Sequence, residues 1–469
     1  MIVNCGLMKL DISKQIFRAY DIRGLYKKDI SPEIFYKIGI AAGNYVKNVI
    51  HGKQIAVGND IRQSSIPLVY SFIAGVLANG VDIVYTGKTA FGQTLFKGWE
   101  LKQDLIAFVT ASHLPPEWNG IKFYYGDGVG LPEKELMKIR DFTLNNDFDA
   151  VSWEKLGNVE LIDPKTSYKN FFKSKFKFNK KLKVALDCGG ASTTLSAPDV
   201  FDAVGLSTVH VFCEPDPSFS KRPSEPKPKN LTVLVNAVKK NNCDFGVAFD
   251  GDGDRSVIVD NTGKVLSADE TGIILGKYGL TEKKGTIIVN VECSKTVKEQ
   301  LEPLGFKVKQ IPVGHTFLTL EAKLEKSPLG IESSGHLILH EYFLFDDAIV
   351  VPLKIAEILD NNEKVLSELA AEIPTYPTKK EVIDCDDEIK FDVVERLKIE
   401  LAKEFENINT MDGIRVDLKT GWVLIRSSNT SPIIRLTIEA DNEKLLGQLT
   451  TKFMDKIEET IEKFKRESK

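Results

Sequence analysis

Three stretches of the chain repeat one succession of apolar and polar segments. In the first, the apolar run 55–57 is followed by a polar turn, a helical stretch at 67–78, Gly80 and a second apolar run at 82–85. The second begins at 184–186, turns at Gly189-Gly190, continues as a helix to Ala203 and Gly205, and returns as an apolar run at 208–212. The third begins at 286–291, places Ser294 as an N-cap, continues as a helix to Leu304 and Gly305, and returns at 307–311. An apolar run, a helical segment, a glycine stop and another apolar run form a βαβ signature. Three copies along one chain predict three related α/β domains.

Each copy leads, through a further apolar run, into a polar loop. Residues 105–109 precede Thr110-Ala111-Ser112-His113, 245–249 precede Asp250-Gly251-Asp252-Gly253-Asp254-Arg255, and 329–331 precede Glu332-Ser333-Ser334-Gly335-His336. Loops at the carboxyl ends of strands in α/β sheets usually carry ligand contacts, so the three loops are expected to face one cleft between domains. After residue 374 the pattern changes. An amphipathic helix at 392–405 is followed by strands at 421–426 and 433–439, and a last helix spaces Leu445, Leu449, Phe453, Ile457 and Ile461 four apart. This predicts a fourth, smaller α+β domain. The predicted domains are 1–155, 156–260, 261–374 and 375–469, with linkers at 151–164 and 374–377, where proline and polar residues collect.

Composition narrows the classes. The 469 residues suit two to four domains, with 42% hydrophobic and 27% charged residues. A net charge of -4 argues against a general nucleic-acid or anionic-membrane binder. The six cysteines, Cys5, Cys188, Cys213, Cys243, Cys293 and Cys385, form no C-x-x-C pair and read as buried reduced thiols. No signal-peptide pattern opens the sequence, and no apolar run approaches the ~20 residues of a membrane span. A cytoplasmic enzyme is expected.

Five groups carry candidate chemistry. Asp250, Asp252 and Asp254 alternate with glycines that let three hard carboxylates turn to one centre, as Mg²⁺ requires. An EF-hand is excluded, because its glycine position is Arg255 and its final glutamate position is Asn261. The competing reading is a solvated Asp/Gly turn. Ser112 precedes a rigid Pro115-Pro116 turn, with Lys122 beyond it. His113 is adjacent, but neighbours on an extended segment point apart, which predicts no local Ser–His pair. There is no Gly-x-Ser-x-Gly elbow, and a capping serine in a turn is the competing reading. Arg426, Ser428, Asn429 and Thr430, with Arg435 beyond, offer a forked donor, hydroxyls and backbone N–H groups suited to phosphate; the alternative is a hairpin turn with a surface arginine. Glu332, Ser334 and His336, with His315, suit sugar hydroxyls and phosphate, although lone histidines are more often structural. Tyr20 and Arg23 suit a sugar phosphate, or a loop with a salt bridge.

In this order the five motifs, together with Gly58-Asn59-Asp60-Ile61-Arg62-Gln63-Ser64-Ser65, resemble the α-D-phosphohexomutase family over nearly the whole chain, and in particular its phosphomannomutase/phosphoglucomutase branch. The resemblance implies four domains around a central cleft: three related α/β domains with mixed sheets and a C-terminal α+β domain similar to the TATA-binding-protein fold. It implies that Ser112 is a phosphoserine and also touches the metal, and that Asp250, Asp252 and Asp254 hold Mg²⁺ with Arg255 beside them. Lys122 and His315 match positions linked to proton transfer and phosphate contact. Glu332, Ser334 and His336 match the sugar loop, Arg426, Ser428, Asn429 and Thr430 the phosphate loop, and Tyr20 and Arg23 N-terminal contacts. The implied activity interconverts hexose 1-phosphate and hexose 6-phosphate, of mannose or glucose, through a 1,6-bisphosphate. Glucosamine phosphate is the alternative substrate, and a metal-dependent phosphatase or an inactive sugar-phosphate-binding relative are the alternative classes. A monomer or homodimer is expected. Lys122, as candidate general acid or base in a cationic pocket, is expected to have a lowered pKa. The sequence departs from the family pattern at Leu114, where Asn is usual, at Trp118, at Thr89-Ala90 and at Gly330-Ile331; Leu114 is expected to weaken positioning of the serine loop.

Overall fold

The computed structural model describes residues 12–145, 150–282, 284–428 and 432–467. The chain forms two compact units, residues 1–266 with 341–367, and residues 267–340 with 368–469. Segment 341–367, with its helix Val350–Asp360, therefore packs in the first unit although the chain on either side of that segment belongs to the second.

The first unit holds two mixed sheets. One runs, in spatial order, Asp21–Leu25, Trp118–Tyr125, Leu105–Val109, Gln54–Asn59, Asp82–Lys88 and Val159–Leu161. The other runs Ser256–Asp260, Phe245–Phe249, Lys183–Asp187 and Ser207–Val211. In the second unit a third sheet runs Lys307–Ile311, Thr286–Asn290, Leu329–Ile331 and Leu337–Leu339. The three share one topology. The first two strands of each repeat pair in parallel, a third strand adds in parallel beside the first, and its antiparallel return strand follows. The repeat read from the sequence is thus one sheet built three times. Gly80, Gly205 and Gly305 close the intervening helical segments with φ of 74°, 88° and 90°, a conformation glycine adopts at little cost.

Loop delivery follows from this topology. Leu105–Val109 and Phe245–Phe249 are buried at every position, as strands covered on both faces must be. Their carboxyl ends release Ser112 and Asp250. Truncating Phe108, fully buried in the first of them, would cost about 3–5 kcal/mol.

Some segments differ from expectation. The third repeat's helix ends at Leu301 and continues only as a 3₁₀ turn, Glu302–Leu304, because Pro303 cannot extend the α-helical ladder. Within the predicted linker 151–164, Val159–Leu161 adds as a parallel edge strand beside Asp82–Lys88.

The fourth sheet, in the second unit, is antiparallel: Thr378–Asp384, Ile433–Ala440, Gly421–Ser427, Ile414–Leu418 and Ile408–Asn409. One face packs Val423, Ile425, Ile434 and Leu436 against Leu397, Phe453 and Ile457 of the helices Lys390–Glu404 and Glu443–Glu467. The opposite face packs Trp422 and Leu424 on Val291 and Val313. Period-2 alternation thus serves two interfaces at once.

Candidate active site

Ser112 leaves its strand with φ +53°, a left-handed conformation that a non-glycine residue adopts at a cost of about 1–2 kcal/mol. Surrounding bonds hold it there. The Ser112 amide donates to Thr110 Oγ1 at 2.8 Å. The guanidinium of Arg62 donates to the carbonyl oxygens of Ser112 (2.8 Å), Leu114 (2.7 Å), Pro115 (2.5 Å) and Trp118 (3.2 Å). Arg62 is itself paired with Asp60 at 2.9 Å, both buried, and Asp60 also accepts from Thr110 Oγ1 and Ser65 Oγ. Ser224, from the next sheet's connections, donates to the carbonyls of His113 (2.6 Å) and Leu114 (3.0 Å). The Leu114 carbonyl is thus held by both Arg62 and Ser224. Asp60 and Arg62 stood in the quoted signature 58–65 without a role; Ser224 gave no signal.

The left-handed turn also corrects the expectation that Ser112 and His113 point apart. The segment is not extended at Ser112, and Ser112 Oγ lies 3.4 Å from His113 Nδ1. Burial, followed by the positive charges of Arg255 and Arg23, pushes the His113 imidazole down to about 2, so it stands neutral beside the hydroxyl.

The Ser112 hydroxyl also reaches Asp250 Oδ2 at 3.2 Å. The two loops touch so closely that a Cβ at Gly251 would lie 2.2 Å from the Ser112 carbonyl oxygen, so only glycine fits there. Asp250, Asp252 and Asp254 are buried, with carboxylate oxygens within 4.8 Å of one another. Asp252 Oδ1 is buried without a hydrogen-bond partner among the described residues. Burial first, then mutual repulsion, raises the pKa of Asp250 and Asp252. Three crowded oxygen donors with spare coordination fit a hard divalent cation. Arg255 caps the cluster, 3.2 Å from Asp250 Oδ2.

Lys122 corrects a second expectation. Its strand runs antiparallel to Asp21–Leu25, with Lys122 opposite Asp21. Its ammonium lies 2.9 Å from Asp252 and 2.5 Å from Asp254. Burial alone would lower its pKa, but the two carboxylates outweigh burial and raise it. The pocket around Lys122 is anionic, not cationic, and Lys122 is held as a cation. Arg23 pairs with Asp21 at 2.5 Å, and Tyr20 is half-buried just ahead of that strand.

The second unit carries the other candidates. Glu332 is buried; Gly314 N–H donates to its Oε2 at 3.2 Å and Ser334 Oγ to its Oε1 at 2.7 Å. The rings of His315 and His336 stack at 5.4 Å. Arg426 is ion-paired with Glu292 at 2.8 Å and Asp412 at 3.0 Å, two partners that sequence reasoning missed. Burial would lower its pKa, but those carboxylates raise it. Arg435 lies opposite Arg426 across the ladder and is exposed. Ser428 is buried and donates its N–H to Ile433 O at 3.0 Å, while Asn429 and Thr430 lie outside the described residues.

Comparison with known proteins identifies the family. Four phosphoglucomutase/phosphomannomutase domain models match in order: α/β/α domain I at 14–150, domain II at 166–263, domain III at 267–376 and the C-terminal domain at 388–456. The phosphomannomutase/phosphoglucomutase of Pseudomonas aeruginosa is 32% identical over 447 residues, covering 94% of this chain and 95% of that relative. The phosphoglucosamine mutase of Methanocaldococcus jannaschii is 31% identical over 459 residues, covering 95% and 99%. Among solved structures, a phosphoglucomutase/phosphomannomutase family protein from Burkholderia thailandensis matches with a TM-score of 0.88 at 25% identity, covering 96% of this chain and 98% of that one. With its three repeated α/β sheets, its antiparallel C-terminal sheet and all four domains in register, the chain belongs to the phosphoglucomutase/phosphomannomutase family of α-D-phosphohexomutases, enzymes that are intramolecular phosphotransferases.

Proposed function

We propose that this phosphohexomutase interconverts the 1- and 6-phosphates of mannose or glucose, with Ser112 as the residue that carries the phosphoryl group. The observation that supports this most is the buried juxtaposition of the Ser112 hydroxyl with Asp250 at 3.2 Å, in a loop whose neighbouring carboxylates hold Lys122. Phosphoryl transfer demands positioning and charge neutralisation. Asp250, Asp252 and Asp254 would hold Mg²⁺, which when bound neutralises charge on phosphoryl oxygens. A hydroxyl oxygen of the sugar phosphate attacks phosphorus, the bond from phosphorus to Ser112 Oγ breaks, the hydroxyl proton passes to Ser112 Oγ, and a hexose 1,6-bisphosphate results. The bisphosphate turns, and its other phosphoryl group returns to Ser112, releasing the isomer. Lys122, held as an ammonium, supplies positive charge at the transferring group. Neutral His113, beside Ser112 Oγ, is placed to accept a hydrogen bond from the serine hydroxyl and orient it, and the hydroxyl proton passes to the leaving sugar oxygen on the return step. Glu332 with Ser334 offers acceptors for sugar hydroxyls, and Arg426 with Ser428, Asn429, Thr430 and Arg435 offers donors for the phosphate that is not transferred.

A phosphoglucosamine mutase is the second reading, favoured by the name of the Methanocaldococcus jannaschii relative. Phosphorus NMR time courses with mannose 1-phosphate, glucose 1-phosphate and glucosamine 6-phosphate, each with Mg²⁺ and a trace of glucose 1,6-bisphosphate, test both. Isomer formation without inorganic phosphate supports the mutase and ranks its substrates. Release of inorganic phosphate alone favours a phosphatase, and no conversion in any tube favours an inactive sugar-phosphate-binding relative or a sugar outside these three.

A further inference from the structure

We propose that Cys188 and Cys213 form a redox-active dithiol whose oxidation to a disulfide disturbs the Asp250 loop. The two residues leave neighbouring parallel strands, Lys183–Asp187 and Ser207–Val211, at the same end. Asp187 is the register partner of Val211, which puts Cys188 and Cys213 one position out of step just beyond the last pair. The Cys188 amide donates to the Val211 carbonyl at 3.1 Å, and the Cys213 thiol reaches the carbonyls of Val211 at 3.5 Å and Leu186 at 3.4 Å. Both residues thus converge on one peptide group, the Val211 carbonyl. Adjacent strands lie about 5 Å apart, inside the Cα separation a disulfide spans. Both cysteines are reduced in this structure.

The pair is chemically asymmetric. Cys213 is half-buried, and its thiol is pushed down by the bond to Cys188. Cys188 is fully buried, and burial pushes it up. An accessible thiol with more thiolate character attacks first, and a buried neighbour resolves. With a small organic disulfide as oxidant, Cys213 S⁻ attacks one sulfur and expels one thiolate. Cys188 then loses its proton and displaces the second thiolate from the mixed disulfide. One disulfide bond forms, one breaks, and the oxidant leaves as two thiols.

Consequences at the metal loop follow from four contacts, which form two tethers. Asp187, preceding Cys188, accepts from Arg222 at 3.1 Å, and Arg222 donates to the carbonyl of Phe249 at 2.6 Å, immediately before Asp250. The Cys188 carbonyl accepts from Ala191 N–H at 2.8 Å, and Ser192 N–H donates to the carbonyl of Gly251 at 3.2 Å. Drawing Cys188 toward Cys213 pulls on both tethers.

The full-length protein, in Mg²⁺, is to be incubated with oxidised glutathione, alkylated, digested and mapped by mass spectrometry, with hydrogen–deuterium exchange followed over residues 245–255. The expected result is a dithiothreitol-reversible crosslink between the Cys188 and Cys213 peptides, with faster exchange over 245–255. Cys213→Ser is expected to lose the crosslink and the change in exchange, and Cys243→Ser to keep both. If both thiols remain alkylatable, or a crosslink joins other cysteines, the pair is not redox-active. If the crosslink forms without a change in exchange over 245–255, the coupling is overturned. Neither readout depends on the identity of the sugar or on catalytic turnover.

Discussion

Arg62 donates a 2.8 Å hydrogen bond to the carbonyl oxygen of Ser112 while its Nε stays paired with Asp60 at 2.9 Å. One buried guanidinium therefore sets the backbone of the serine loop at four carbonyls without touching the serine hydroxyl. Arg62→Lys keeps the charge opposite Asp60 but loses the fork that spans the carbonyls. Turnover is expected to fall at least tenfold with a smaller loss of stability. Arg62→Ala, which strands a buried carboxylate, is expected to lose about 3–5 kcal/mol in urea unfolding.

Gly251→Ala places a methyl group against the Ser112 carbonyl, where a Cβ would lie at 2.2 Å. The two loops must part, at a cost of about 1–3 kcal/mol. Activity is expected to fall far more than the unfolding midpoint, because the displaced atoms are those that set Ser112 against Asp250. Steady-state rates and denaturant unfolding of the same preparation check the split.

Much of this was legible in the sequence, and what was not shares a physical cause. The apolar runs 105–109 and 245–249 and the glycine stops at 80, 205 and 305 report local propensity, and the strands and turns formed there. The left-handed Ser112 did not show, because its conformation is imposed by Arg62, 50 residues away in sequence. The sign of the Lys122 shift was misjudged for the same reason: Asp252 lies 130 residues beyond it, and only the fold brings the charges together. Glu292 and Asp412 gave no motif, yet they hold Arg426. The scattered cysteines concealed that two of them leave adjacent strands.

Removing Lys122 takes its ammonium from a group of buried carboxylates. Lys122→Met is expected to lower thermal stability in EDTA, and Mg²⁺ is expected to raise the melting temperature of the variant by more than that of the unmodified protein. Binding to the folded state alone stabilises by linkage, and the variant has more uncompensated negative charge to relieve. Thermal scans of both proteins in EDTA and in Mg²⁺ check this; equal shifts would remove Lys122 from the cation's surroundings.

Asp347 gives a pH dependence of stability. Burial pushes its carboxyl up from 3.8 to about 7, against the opposing bonds from Ile349 N–H and Tyr168 Oη. A carboxyl whose folded pKa lies above its unfolded value holds its proton better when folded. Its share of stability is therefore intact below about pH 4 and is lost as the pH rises through about 7, on the order of 4 kcal/mol in all. Asp347→Asn is expected to flatten that part of the stability profile between pH 4 and 7, measured by urea unfolding across the range.

On the proposed function, Ser112 carries the phosphoryl group. It is tested most directly by incubating the protein with Mg²⁺ and glucose 1,6-bisphosphate and locating the bound phosphate by peptide mass spectrometry. One phosphoryl group is expected, on Ser112, that transfers to added hexose phosphate and is absent from Ser112→Ala. Phosphate on another residue, or full mutase activity in Ser112→Ala, would contradict it.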